Sequence, residues 1–160
     1  MPISVRKPRS FPAVTAPLGA IVAATLALES LRPGEIALLL TDDEAPRALN
    51  RRWRRIDRAT DVLSFGYGTR AGRVSGDVVI SLDRMAEQAR RFRTGPAREL
   101  ARLVIHGTLH LAGHDHHAAA ERRAMRALER RAMSASRAHV ARLARGFARA
   151  ARPGAPASRR

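Results

Sequence analysis

Cysteine is absent from all 160 residues. That excludes disulfides and thiolate metal sites, and nothing in the chain asks for an oxidising compartment. Acidic residues are scarce, 14 against 30 basic ones, which leaves a formal net charge of +16. Lysine is nearly missing too: Lys7 stands alone beside 29 arginines. In so alanine-rich a chain, the choice of arginine over lysine carries less weight than the surplus of charge. A surface of that sign attracts polyanions, with nucleic acid first among them. Aromatics are few: Phe11, Phe65, Phe92, Phe147, Trp53 and Tyr67. A sheet that binds RNA by stacking bases on rows of aromatics is therefore not expected. No apolar run reaches the roughly 20 residues needed to cross a bilayer. The longest uncharged stretch, Ala16–Leu28 (APLGAIVAATLAL), follows basic residues and has the look of a secretory leader. No small-x-small cleavage site follows it, and the pattern runs on to Arg32 before Pro33-Gly34 ends it. It reads as a buried helix, no membrane partner is expected, and the expected compartment is the cytoplasm.

Against that background one stretch stands out. Residues 106–117 read HGTLHLAGHDHH and hold five of the six histidines. His106 and His110 are four apart, so on a helix they share one face. Gly113 is the residue type that lets a chain leave a helix through a left-handed cap. The turn can then bring His116 back to the same point. Three imidazole nitrogens so arranged suit a zinc ion with a fourth position open, which is the catalytic pattern rather than the closed structural one. A histidine-rich run is often only a surface feature. Here the intervening residues are Leu103, Val104, Ile105, Leu109 and Leu111, and imidazoles among aliphatics without partners are costly. A peptidase of the HExxH type needs a glutamate after the first histidine, and Gly107 stands there instead.

The same stretch resembles the signature HGxLHLxGYDH of the YbeY family, the single-strand-specific endoribonucleases of bacterial rRNA maturation. His114 stands where that signature has tyrosine. The resemblance implies one zinc ion per chain, with His106, His110 and His116 as ligands and His114 and His117 outside the ligand set. Asp115 is then placed to orient a histidine through its other ring nitrogen.

Residues 49–65, LNRRWRRIDRATDVLSF, are similar to the family pattern LNxxYRGxDxPTDVLSF. Trp53 replaces tyrosine, Arg55 replaces glycine and Ala59 replaces proline; Asp57 and Thr60–Phe65 match. The resemblance implies that Arg54 is the arginine of the active-site cleft. Chemistry alone does not single it out from Arg51, Arg52, Arg55 and Arg58. A guanidinium there would bind two phosphate oxygens at once and offset charge developing on phosphorus.

The rest of the chain supplies the frame. Residues 1–15, broken by Pro2, Pro8 and Pro12, are expected to form a flexible basic arm. The metallohydrolase domain is expected over residues 16–135, and a basic Arg/Ala-rich extension over residues 136–160. Strands are expected at 35–41, 61–65 and 74–82, with a turn over 66–73. Asp42-Asp43 is expected to cap a helix over 44–52, and Asp83 another running to about 93. Thr60, Asp61 and Ser64 are expected to fix the loop and the strand start, and Asp77 to sit in a turn. Pro96 opens the histidine-bearing helix, about 97–112. This order gives an α+β fold, a small mixed sheet packed with helices. The resemblance implies about four strands, one of them from the N-terminus. From Glu121 to Arg160 there are 12 arginines and two glutamates. Arg142, Arg145 and Arg149 share a helix face and are expected to hold a phosphate backbone.

The expected activity is zinc-dependent cleavage of single-stranded rRNA, in small-subunit maturation and ribosome quality control. By resemblance, partners would include a small-subunit ribosomal protein and the Era GTPase. The alternative is a non-catalytic ribosome-assembly or rRNA-binding factor that uses zinc only to hold its fold.

Overall fold

The structure, a computed structural model, describes residues 2–54 and 60–151, with Arg54 described by its backbone alone. The tail 152–160 and Arg55, Asp57, Arg58 and Ala59 of the second motif lie outside the described residues. The elements in chain order are β1 (Ile3–Arg6), α1 (Thr15–Ala27), β2 (Arg32–Thr41), α2 (Glu44–Arg54), β3 (Val62–Arg70), β4 (Arg73–Ser81), α3 (Leu82–Arg91), α4 (Pro96–Leu111), α5 (Ala119–Ala135) and α6 (Arg137–Ala150). Four strands form one sheet in the order β1-β2-β4-β3. The β1–β2 and β2–β4 pairs are parallel, and β3–β4 is antiparallel. The α+β expectation, with a small mixed sheet, holds.

Alternation decides which face of the sheet is buried. Ile36, Leu38 and Leu40 of β2 and Val74, Val78 and Ile80 of β4 are almost fully buried. The β2 set repeats every second residue, and Leu38 and Leu40 pair with Val78 and Ile80, so both sets point to one side. Helices α1 and α4 cover that side. The uncharged α1 contributes Leu18, Ile21, Val22 and Leu26 to the core. The central helix α4 buries Leu100, Leu103, Val104, Ile105 and Leu109. Burying each such side chain contributes about 1.5–3 kcal/mol.

Several boundaries differ from the sequence reading. Residues 3–6 are a strand and not part of a loose arm: Ile3 pairs with Ile36 and Val5 with Leu38. Phe11 stacks edge-on against Phe147 of α6, with ring centroids 5.3 Å apart. The expected turn over 66–73 shrinks to Ala71-Gly72, whose φ values of 51° and 75° suit a two-residue hairpin. The strand chemistry of Tyr67 and Thr69 outweighed the glycines around them. Asp77 is consequently a strand residue, its carboxylate accepting from the Tyr67 hydroxyl. At α3 the capping oxygen belongs to Ser81, which accepts from Arg84 N at 3.1 Å. Asp83 instead accepts from the Asp43 backbone at 2.9 Å, while Asp42 caps α2 through Glu44 N. Helix α6 buries Leu143 and packs against α1 and α4. The start of the basic extension therefore belongs to the same core.

Candidate metal centre

Helix α4 carries the two leading histidines because one of its faces must touch the sheet and the opposite one must not. Gly107 marks the contact face: a Cβ there would lie 2.5 Å from Val78 Cγ1 and 3.2 Å from Ser64 Oγ. No larger side chain fits without moving helix from sheet, so the glutamate of an HExxH peptidase has no room here. Ser64 secures the same approach by donating to Gly107 O at 3.0 Å. Asp61 holds the start of β3 by accepting from Val62 N at 2.8 Å and from Gln88 Nε2 at 3.2 Å. His106 and His110 lie off this contact face and are partly exposed.

The helix ends as its sequence suggests. Gly113 has φ of 99°. Its N–H donates to His110 O and the His114 N–H donates to Leu109 O, both at 3.0 Å. This pair of bonds is the Schellman arrangement, which reverses the chain at a left-handed residue. The loop that follows returns His116 to the α4 histidines. Arg122 braces it by donating to His117 O at 2.9 Å.

His106, His110 and His116 meet. One nitrogen from each lies within 4.8 Å of the others. His106 Nε2 and His110 Nε2 are 3.1 Å apart. Two nitrogens on a tetrahedral zinc ion would be about 3.3 Å apart, so the pair suits a shared cation. The remaining His106 nitrogen, Nδ1, lies 2.6 Å from Glu129 Oε1 of α5. With Nδ1–H donated to that carboxylate, Nε2 keeps its lone pair for the cluster. Burial first, and then the neighbouring His106 and His116, push the His110 pKa below its ordinary value. Neutral imidazole is the form that ligates a metal. The donor set and the spacing of its nitrogens fit a divalent metal ion.

Glu129 was not legible as a site residue. It lies 23 positions from His106 in an Ala/Arg-rich helix. The available signal was its rarity, since Glu121 and Glu129 are the only acids after Asp115. The sequence instead favoured Asp115 for such a role. Its carboxylate accepts from the His116 backbone N–H at 2.7 Å and pairs with His117 Nε2 at 3.1 Å. A short side chain so close in sequence is taken up largely by its own loop. His114, in place of the family tyrosine, points to Glu29 beyond α1, with Nε2 to Oε1 at 2.5 Å. It joins the loop to the core and lies outside the cluster.

Arg54 is the last residue of α2, and its side chain lies outside what the structure describes. Arg142, Arg145 and Arg149 are exposed on the side of α6 away from buried Leu143. The structure does not bring them to the histidines. Among the described residues, no helix is long and apolar enough to cross a membrane.

Comparison with known proteins agrees with the site. The sequence model of the family described as Endoribonuclease YbeY matches residues 13–137. The Endoribonuclease YbeY of Carboxydothermus hydrogenoformans is 44% identical over 108 residues, covering 67% of this chain and 76% of that protein. That of Myxococcus xanthus is 49% identical over 100 residues, 59% of this chain but 34% of the relative. That of an Anaeromyxobacter species is 49% identical over 105 residues, 64% and 55% of the two lengths. The chain thus spans from a third to three quarters of these relatives. A Thermotoga maritima protein solved in solution superimposes with a TM-score of 0.56 at 25% identity, over 85% of this chain and 91% of that one. Through the family match over most of its length, and the histidine cluster within the matched region, the chain belongs to the endoribonuclease YbeY family.

Proposed function

We propose that this protein is a zinc-dependent endoribonuclease that cuts single-stranded rRNA during maturation of the small ribosomal subunit and in ribosome quality control. The observation that carries the reading is the three-imidazole cluster, with the His106 tautomer set by Glu129. The relatives' names supply the substrate class. His106, His110 and His116 would hold one zinc ion. A bound zinc ion supplies Lewis acidity at a phosphate oxygen and an acidified water at neutral pH.

The remaining steps fall to the chain itself. Attack on phosphorus, by water or by the neighbouring 2′-hydroxyl, adds negative charge to the phosphate oxygens. In this reading Arg54 offsets that charge with a guanidinium that binds two oxygens at once. The partial burial of His106 and His110 lowers the local dielectric and strengthens each of these contacts. The positive surface gathers the substrate. A small-subunit ribosomal protein and the Era GTPase are proposed as partners in the cytoplasm, where rRNA is processed.

The test is metal content and cleavage on one purified sample, wild type beside His110→Ala. One zinc per chain in the wild type, with cleavage and metal lost together in the variant, is the expected result. Zinc held tightly by a wild type that never cleaves would refute the reading in favour of a binding factor. Arg54→Glu should retain zinc and lose cleavage; an active Arg54→Glu protein would remove Arg54 from the mechanism.

A further inference from the structure

A groove of about 570 Å³ opens between the α3–α4 corner and helices α5 and α6. Its apolar part includes Phe92, 64% exposed, and Met133. Around these stand Arg98, Arg126, Arg130 and Arg137, all exposed. Arg102 lines it as well, and the two acids that reach the groove are both already paired. Glu99, 3% exposed, is gripped by Arg102 with bonds of 2.6 to 3.1 Å. Glu129 is bound to His106. Four guanidinium groups therefore face one concavity with no ion pair among the described residues. Like charges crowded this way repel one another, and a bound polyanion relieves the repulsion.

The groove is not remote from the metal centre. Glu129 lines it and touches His106, so one carboxylate separates the two. On α4, Arg98, Arg102, His106 and His110 follow at four-residue intervals along one stripe. An anionic chain seated at the histidines can continue along this stripe into the groove.

We propose that the groove holds the sugar–phosphate backbone of single-stranded RNA flanking the nucleotides at the histidine cluster. Arg98, Arg126, Arg130 and Arg137 take the phosphates, and Phe92 offers a face on which a base can stack. The identity of the polyanion rests on the endoribonuclease reading. The chemistry favours RNA over an acidic protein: the rim is guanidinium, which suits phosphate oxygens taken two at a time, and the apolar floor suits a base face.

The test compares two triple variants of equal net charge in the metal-loaded protein. One is Arg126→Ala/Arg130→Ala/Arg137→Ala, in the groove. The other is Arg32→Ala/Arg70→Ala/Arg73→Ala, exposed together at the hairpin end of the sheet. The probe is a fluorescent, uncleaved 2′-O-methyl RNA of about 16 nucleotides, the upper end of single-strand site sizes. Affinity is read by anisotropy over a salt series, with circular dichroism confirming the fold. The groove variant should bind roughly tenfold or more weakly at 0.1 M salt, and its salt slope should flatten by about 2, at about 0.7 per lost phosphate contact. The sheet-end variant should keep most of the wild-type affinity. Equal losses in the two variants, or wild-type binding by a folded groove variant, would overturn the proposal. Cleavage of a long RNA is assayed separately and should show a raised KM with unchanged kcat. If the wild type binds through the groove but cuts nothing, the endoribonuclease reading fails while the groove stands.

Discussion

Replacing Glu129 by alanine should weaken metal binding while leaving all three imidazoles in place. The Glu129–His106 bond is 2.6 Å long, and the two side chains are only 20% and 23% exposed. Solvent therefore screens it little, unlike a surface ion pair. A charge-assisted bond of this kind contributes on the order of 1.5–3 kcal/mol. Part of that energy fixes the ring and the tautomer. In Glu129→Ala the His106 ring regains rotation and both tautomers, so half or more of its conformers present the wrong nitrogen. Loss of such a carboxylate partner typically lowers metal affinity by about 10- to 100-fold, or about 1.4 to 2.7 kcal/mol. Glu129→Gln keeps an acceptor oxygen without its charge and should fall between. The assay is competition for zinc against a chromophoric chelator, with Glu121→Ala as the control acid on the same helix. Thermal unfolding with and without metal gives a second readout, since stabilisation by a ligand follows its affinity. Should Glu129→Ala hold metal as tightly as Glu121→Ala, the tautomer argument is wrong.

Other consequences are simpler to state. Gly107→Ala places a methyl 2.5 Å from Val78 Cγ1 and should destabilise the fold by about 1–3 kcal/mol, seen as a lower urea midpoint; an unchanged midpoint would show that α4 and the sheet have slack. Leu103→Ala, at a fully buried position of α4, should cost about 2–5 kcal/mol in the same measurement. Chelation should lower the melting temperature of the wild type and leave that of His110→Ala unmoved, because only the first has a complete donor set. Removing residues 1–7 strips β1 from the sheet and bares the edge of β2; a lower melting temperature and a tendency to self-associate are expected, and a truncated protein as stable as the full chain would show that β1 adds nothing.

How much of this was legible in advance depended on the range of the physics. The histidine cluster was legible because its three members lie within eleven residues and their geometry is local: one helical turn, one left-handed glycine, one return. The core contribution of α1 was legible from unbroken uncharged sequence, and that of α4 from Leu100, Leu103, Val104 and Leu111. Glu129 was not, because its partner lies across a helix–helix contact that no local pattern encodes. The hairpin turn was misjudged for a related reason. Gly66, Gly68 and Gly72 all read as breaks, yet pairing with β4 keeps the first two in the strand, with a register shift between Gly66 and Gly68. The strand at residues 3–6 was hidden by its prolines. Pro2 and Pro8 lie outside those four residues, and the β2 edge supplies the partners that a short isolated segment lacks.

The distribution of acids explains why the charge surplus matters locally and not only as a total. Many of the acids have assigned work. Asp43 accepts from Ser81 and Arg84, Asp61 fixes β3, Glu29 holds His114, Glu99 grips Arg102 and Glu129 sets His106. These partners lie in the loops and helix ends around the sheet and the metal centre. On α5 and α6 the only acids are Glu121 and Glu129, and Glu129 is already turned towards His106. Among the described residues most arginines of those helices have no acidic partner, and Met125, Ala132 and Leu143 anchor both helices to the core. Guanidinium groups carried on anchored helices beside a histidine cluster have their backbone positions set before a polyanion arrives. Only the side chains remain to be ordered on binding, whereas a floppy basic tail of the same net charge would have to order its backbone as well.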